Sequence, residues 1–207
     1  MVAAGLCGKG CRYGGPSYFS PMITQQTSAP TYADIISTAD LKAHCRVDHS
    51  SEDSLLGTLR SVAFRHIESI TGVLLGDRSL VAYMDSFHHG ARIPVHPVNS
   101  ITSVEYLATD GTLQELAAGF WYADIISNPG RIFFHDVPEL QEYAVNRVKI
   151  TMEVGHPEAE CPEDLVHAVK LLVGHLYEHR QDSEAQKLQA IPTGIHALIS
   201  PHRNFAL

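Results

Sequence analysis

The segment from His175 to His179, HLYEH, has the residue types and the spacing of a helical zinc site. Two histidines four positions apart lie on one face of a helix, where they could hold Zn²⁺ while Glu178 acts as a general base. A catalytic zinc also needs a third protein ligand, and the carboxylates that follow lie too near in sequence to return from a second helix. His179 and Arg180 could instead be cations at a helix C-terminus, where the helix dipole favours them. The motif leaves a small zinc hydrolase as an alternative function.

Charge and composition restrict the other classes of function. The chain has 207 residues, with 15 lysines and arginines against 23 aspartates and glutamates, for a net charge of −8. Non-specific affinity for nucleic acid comes from a cationic surface, so this balance argues against a protein whose main role is to grip DNA. No segment approaches the roughly 20 apolar residues of a membrane helix, and we expect no membrane partner. The four cysteines are scattered along the chain. We predict neither a cofactor nor an enzymatic activity.

Two helices are predicted in the first half of the chain. Ser37 and Asp40 have the spacing of a capping box and open a short helix. Ser50 and Asp53 repeat that signature before a second helix over 51–71. The apolar residues of this second helix recur at three- and four-residue steps. They are Leu55, Leu56, Leu59, Val62, Ala63, His66, Ile67 and Ile70.

A further long helix is predicted over 162–181. It begins with Pro162, which suits the first helical position, and Glu163 and Asp164 follow where the helix dipole favours acids. Its buried stripe is Leu165, Val169, Leu172 and Leu176. We expect this helix to pack against the helix over 51–71.

Between the long helices, residues 79–154 change to the alternating periodicity of strands. Residues 101–107 and 147–154 alternate, and Asp110-Gly111 is a hairpin turn. We predict a small antiparallel sheet of five or six strands without helices. The fold class is therefore α+β, with two long amphipathic helices packed together and the sheet inserted between them.

The two ends of the chain differ from its middle. Residues 1–30 are rich in Gly, Ser, Pro and Gln and cannot bury enough apolar surface to order themselves, which predicts a flexible N-terminal arm. Residues 31–186 form the α+β domain. Residues 187–207 contain no Asp or Glu and are predicted to be a partner-binding C-terminal tail.

The order of these pieces resembles the head–tail connector family of tailed phages, also called adaptor or head-completion proteins, which gene transfer agents share. Five collinear segments, which together span about residues 35–203, carry the resemblance. They are ADLKAHCRVD (39–48); ED (52–53) with ESITG (68–72); IPVHPV (93–98) with SVEY (103–106) and DG (110–111); VG (154–155) with CPEDL (161–165) and HLYEHR (175–180); and IPTGI (191–195) with LI (198–199) and PHR (201–203). Each segment is a packing or capping signature, and only the collinear set is specific.

The resemblance implies a structural subunit of a virion or phage-like particle, made in the host cytoplasm. Family members assemble as rings, commonly of twelve copies, under the portal at one capsid vertex and join it to the tail. The implied partners are further copies of the chain, the portal protein, and a neck or tail-terminator protein on the tail side. DNA would pass through the channel without specific binding, which an acidic ring favours.

The C-terminal tail is the predicted contact with the portal. Its apolar side chains would be a liability in water, so a partner surface would cover them, with Arg203 at the polar rim. The predicted contact residues are Ile195, Leu198, Ile199, Arg203, Phe205 and Leu207. The alternative is that Ile195, Leu198 and Ile199 cover the subunit's own helices.

Overall fold

The computed structural model describes residues 22–157, 160–179 and 193–203. Its helices are α1 (Tyr32–Ile35), α2 (Thr38–Cys45), α3 (Asp53–Thr71), α4 (Glu163–Glu178) and α5 (Thr193–Ile199). Its strands are β1 (Ile23–Gln26), β2 (Arg78–Met84), β3 (Ala91–Arg92), β4 (Val98–Leu107), β5 (Leu113–Glu115), β6 (Trp121–Asp124), β7 (Arg131–Phe134) and β8 (Val148–Val154). The class is α+β, as the sequence predicts, but the described residues form five α-helices and not only two long ones.

The predicted capping box is present at the start of α2. The Asp40 backbone N–H donates to Ser37 Oγ at 3.1 Å, and the Ser37 backbone N–H donates to the Asp40 carboxylate at 3.2 Å. The second predicted box is absent: α3 begins after Glu52 without a side-chain cap. Asp53 instead pairs with Lys42 of α2 at 2.9 Å. The carboxylate therefore joins two helices where the sequence suggested a local cap.

The helices form one apolar core. The long helices α3 and α4 contribute most of it and pack together, as predicted. Their buried side chains are Leu56, Ala63, Phe64 and Ile67 from α3 and Leu165, Ala168, Val169, Leu172 and Val173 from α4. Val62, which the sequence placed in the buried stripe, is instead 49% exposed. It precedes Phe64 by two positions, and a helix with 3.6 residues per turn carries it to the opposite side.

The strands form two sheets around a second apolar core. The larger sheet is antiparallel with the order β1-β2-β8-β4-β5, and the smaller sheet has the order β3-β7-β6. Buried residues from both sheets, including Met84, Val104, Ile132 and Phe134, share the core between them. Each of the central strands β2 and β8 therefore has one face packed inward against the smaller sheet.

The prediction of one helix-free sheet over 79–154 is wrong in two respects. Strand β7 belongs to a separate three-stranded sheet, and a 3-10 helix at Ala118–Phe120 precedes β6. Alternation identifies strands without identifying their partners. The larger sheet also takes its edge strand β1 from within the predicted arm, where Ile23–Gln26 pairs with β2. Residues 1–21 lie outside the described residues.

A buried ion pair joins the helices to the larger sheet. Glu68 of α3 and Arg78 of β2 are 9% and 6% exposed, and their side chains are in direct contact. The Glu68 carboxylate also accepts hydrogen bonds from Tyr32 Oη at 2.9 Å and from the Leu75 backbone N–H at 2.7 Å. Burial, and then the nearby Glu68 carboxylate, raise the pKa of Tyr32 to about 12. One carboxylate thus holds α1, α3 and the start of the sheet together.

Candidate interaction surfaces

The proposed zinc ligands His175 and His179 lie at the end of α4. The ring centroids of His175 and His179 are 4.6 Å apart, and His179 Nδ1 lies 3.0 Å from the His175 carbonyl oxygen. Glu178 is exposed. Within residues 22–157, 160–179 and 193–203, no three His, Cys, Asp or Glu side chains are placed to hold a metal ion. The zinc-hydrolase alternative has no support in this geometry.

The thiols of the described residues also lack the environment of a nucleophile. Burial raises the pKa of Cys161 to about 11, and burial, followed by the charge of Glu178, raises the pKa of Cys45. A reactive cysteine needs the opposite shift, because the thiolate is the attacking form. Both side chains instead pack against the helical core.

The predicted portal contacts do not all lie on an open surface. Ile195 and Ile199 are each 1% exposed and belong to the helical core, where α5 packs on α4. Leu198 is partly buried against the same core, and Arg203 is exposed. The alternative interpretation therefore holds for the apolar residues of α5: Ile195, Leu198 and Ile199 cover the subunit's own helices. Phe205 and Leu207 lie outside the described residues.

Histidines gather where the chain passes between the two cores. His96 and His156 lie beside the segment 73–75, to which both are joined by β-bridges, and their ring centroids are 6.4 Å apart. Burial lowers the pKa of His96; burial, followed by the charge of His96, lowers the pKa of His156. His202 reaches this region and lies 3.6 Å from the Asp164 carboxylate. The surroundings of His96 and His156 therefore favour the neutral form of both side chains.

A more distinctive surface is the outer side of the smaller sheet, which we call the aromatic face: Phe120, Tyr122, Phe133 and His135. Tyr122 pairs with Phe133 across β6 and β7, and their rings stack at 4.8 Å. His135 lies within 6.5 Å of the rings of both Phe120 and Tyr122. The neighbouring residues Ile132 and Phe134 point into the core. Because side chains alternate along a strand, one set of large side chains points into the core and the other set points outward.

The aromatic face is exposed and continues into an apolar loop. Tyr122 is 54% exposed, and Ile126, in the loop between β6 and β7, is 94% exposed. At the end of the face, Arg131 and Asp124 form an ion pair at 3.3 Å. Sequence reasoning missed this surface, because aromatic residues in a strand are typical of a core as well as of an exposed face. Aromatic residues at both alternating positions of β6 and β7 were the available signal.

No protein-family profile matches the chain, and neither does any curated protein in a sequence comparison. Solved structures do match. A chain in the neck of an empty gene transfer agent particle, computed with C6 symmetry, aligns with a TM-score of 0.71 at 24% identity. A chain in the virion of a native gene transfer agent particle aligns at 0.73 and 24%, and one in a native neck computed with C12 symmetry at 0.70 and 23%. This chain shares their fold.

The structural match extends over nearly the whole of both molecules. In each of the three alignments it covers 89% of this chain and 97% of the other chain. Both cores therefore belong to the shared fold.

No helix among the described residues is long and apolar enough to cross a membrane.

Proposed function

We propose that this chain is a structural head–tail adaptor subunit of a tailed phage or gene transfer agent particle. It forms a ring under the portal, links the capsid to the tail and extends the DNA channel, without catalysing a reaction. The observation that carries this proposal is the fold it shares with 97% of the length of chains from gene transfer agent necks. Those necks were computed with C6 and C12 symmetry, which supports a ring, in our proposal of twelve copies.

The negative charge of the chain suits a protein that lines a channel for DNA. A net charge of −8 on each subunit gives the ring a strongly negative field, which disfavours lasting contacts with phosphates. The tail-side partner in this proposal is a neck or tail-terminator protein of the same particle.

Removal of the chain from a particle-producing cell tests the proposal. We expect capsids to fill with DNA but to remain without tails, because the joint between portal and tail is missing. Expression of the intact chain from a second copy of the gene should restore tailed particles. Normal tailed particles in its absence would contradict an adaptor role.

The portal contact in this proposal lies within residues 198–207. Arg203 is exposed, and Leu198, Phe205 and Leu207 are the apolar residues that accompany it. Ile195 and Ile199 hold α5 in the subunit's own core.

Because the core includes α5, the portal contact is tested without deleting this helix. A chain that ends at residue 203 and the variant Arg203→Glu should bind portal-bearing capsids less well than the intact chain. The matched control is Arg65→Glu, which reverses an exposed charge on α3. If the truncated chain and Arg203→Glu are retained as well as the control, the portal contact lies elsewhere.

A further inference from the structure

We propose that the aromatic face and the outer edge of β6 bind a second copy of this chain. This inference rests on the proposed function, because it names the surface through which neighbouring subunits of the ring meet.

The first argument is the size of the apolar surface. The exposed fractions are 39% and 54% for Phe120 and Tyr122 of the aromatic face, and 37% and 94% for Ile125 and Ile126 of the loop that follows β6. At roughly 200 Å² for each large side chain, these fractions correspond to about 450 Å² of surface. That is about half of the ~800 Å² that each partner contributes to an interface of standard size. The surface is large enough to form the centre of a contact between proteins, with a polar rim supplying the rest.

The second argument is charge. Copies with a net charge of −8 repel each other, so a contact between them is favoured where acidic residues are few. Residues 118–135 contain one acidic side chain, Asp124, and it is paired with Arg131. A single-stranded nucleic acid would also stack on aromatic rings, but such sites carry a cationic groove for the phosphates. With Arg131 paired to a carboxylate, the face offers an apolar and nearly neutral surface, which fits another copy better.

The third argument is the main chain of β6. Residues of antiparallel strands alternately face their partner and face away from it. The His135 backbone N–H donates to the Phe120 carbonyl at 3.0 Å, so the main-chain groups of Trp121 and Ala123 face the outer edge. In the described part of the chain, no strand is hydrogen-bonded to that edge. A segment of a second copy can therefore add main-chain hydrogen bonds beside the apolar side chains.

A ring requires that this surface meets a different surface of the neighbouring copy. Only such head-to-tail contacts close into a ring of many copies, whereas a surface that binds itself gives a dimer. With about half of the area that a standard interface buries on each partner, each contact is weak alone. Closure of the ring on a portal makes every subunit hold two contacts at once, which stabilises the assembly.

The test places the photo-cross-linking residue p-benzoylphenylalanine at Tyr122. Irradiation of the concentrated purified chain and of assembled particles should give a covalent dimer of this chain, and mass spectrometry identifies the attachment site. The same residue at Thr102, which is exposed on β4 of the other sheet, is the control for random collisions. A dimer yield from Tyr122 no greater than from Thr102, in both samples, overturns the inference.

Charge variants give an independent readout. Ile126→Asp and Tyr122→Asp should weaken self-association, measured by sedimentation or by recruitment into particle necks, at least tenfold. Thr102→Asp should change it less than twofold. Circular dichroism and thermal melting must show all three variants folded; where Tyr122→Asp does not fold, Ile126→Asp in its exposed loop carries the test. Unchanged association of the folded variants overturns the inference.

Two further outcomes separate this inference from the proposed function. If the chain lies in the neck but Tyr122 cross-links only to a different particle protein, the adaptor role stands and the self-association surface fails. If Tyr122 cross-links copies of the purified chain but the chain is absent from particles, the surface stands and the adaptor role fails. Binding of single-stranded DNA that Tyr122→Asp abolishes, with self-association intact, assigns the face to nucleic acid and overturns the inference.

Discussion

Replacement of Glu68 by glutamine is expected to destabilise the subunit strongly, although the two side chains have the same shape. The Glu68 carboxylate is the acceptor for Tyr32, Leu75 and Arg78 at the junction between the helices and the larger sheet. Glu68→Gln removes the negative charge and replaces one acceptor oxygen by a donor. The guanidinium of Arg78, 6% exposed, is then left without its counter-charge in the interior.

The expected magnitude follows from this burial. Removal of one partner from a buried ion pair typically costs about 3–5 kcal/mol, because the remaining charge stays uncompensated. The matched control is Glu105→Gln, which breaks the pair between Glu105 and Lys149 at 2.6 Å. Both side chains of that pair are about a third exposed. Exposed pairs contribute about 0–1 kcal/mol, so the two variants should differ by several kcal/mol.

Urea denaturation of the purified subunit, followed by circular dichroism, measures both changes. With a slope of about 1–3 kcal/mol per molar urea, a loss of this size lowers the midpoint for Glu68→Gln by about 1–5 M. The midpoint for Glu105→Gln should fall by less than about 1 M. If Glu68→Gln costs no more than Glu105→Gln, the buried pair does not hold the two cores together as described.

Three other properties of the subunit follow from the structure. Ile199→Ala should lower the free energy of unfolding, measured in urea, by about 2–5 kcal/mol. His196→Ala, on the exposed side of α5, should change it by no more than about 0.5 kcal/mol. The lowered pKa values of His96 and His156 mean that the unfolded chain binds more protons, so stability should fall as pH drops below 6.5, and fall less steeply in His156→Gln. With its pKa raised to about 11, Cys161 should alkylate about 100-fold more slowly at pH 8 than a thiol of pKa 9.0, as peptide mass spectrometry would show. Equal losses of stability in Ile199→Ala and His196→Ala would contradict the first expectation. Parallel pH profiles of the intact chain and His156→Gln would contradict the second, and rapid labelling of Cys161 would contradict the third.

Local signals in the sequence predicted local structure well. The capping box at Ser37 and Asp40 is present as predicted, and α3 ends at Thr71 before Gly72, which has a φ of +72°. Both features depend on residues within one turn, so the sequence contains all the information they require. The cap expected at Asp53 is absent because α3 begins at Asp53, so this residue is not at the third helical position that a capping box requires. Its carboxylate pairs instead with the distant Lys42.

Contacts between distant segments were harder to predict. Residues 187–207 were predicted to be a partner-binding tail, yet Ile195 and Ile199 are buried against other helices. Their spacing of four residues is as compatible with a buried helix as with an exposed one. Sequence periodicity shows that one side of a helix is apolar but does not identify what covers it.

The aromatic face shows the same limit for strands. Phe120, Tyr122 and Phe133 alternate with Trp121, Ile132 and Phe134, so each strand is apolar on both sides. Only the position of the larger sheet decides which set is buried. The sequence predicted strands in this region, whereas the choice of the exposed set required the tertiary structure.

The most direct test of the adaptor proposal is a cryo-electron microscopy reconstruction of the neck of particles made by cells that express this chain. The account predicts a ring of twelve copies of the chain between portal and tail. The density should fit α3, α4 and both sheets in every copy, and the channel should pass through the centre of the ring. A neck built entirely from other proteins, or copies of this chain that do not surround the channel, would contradict the account.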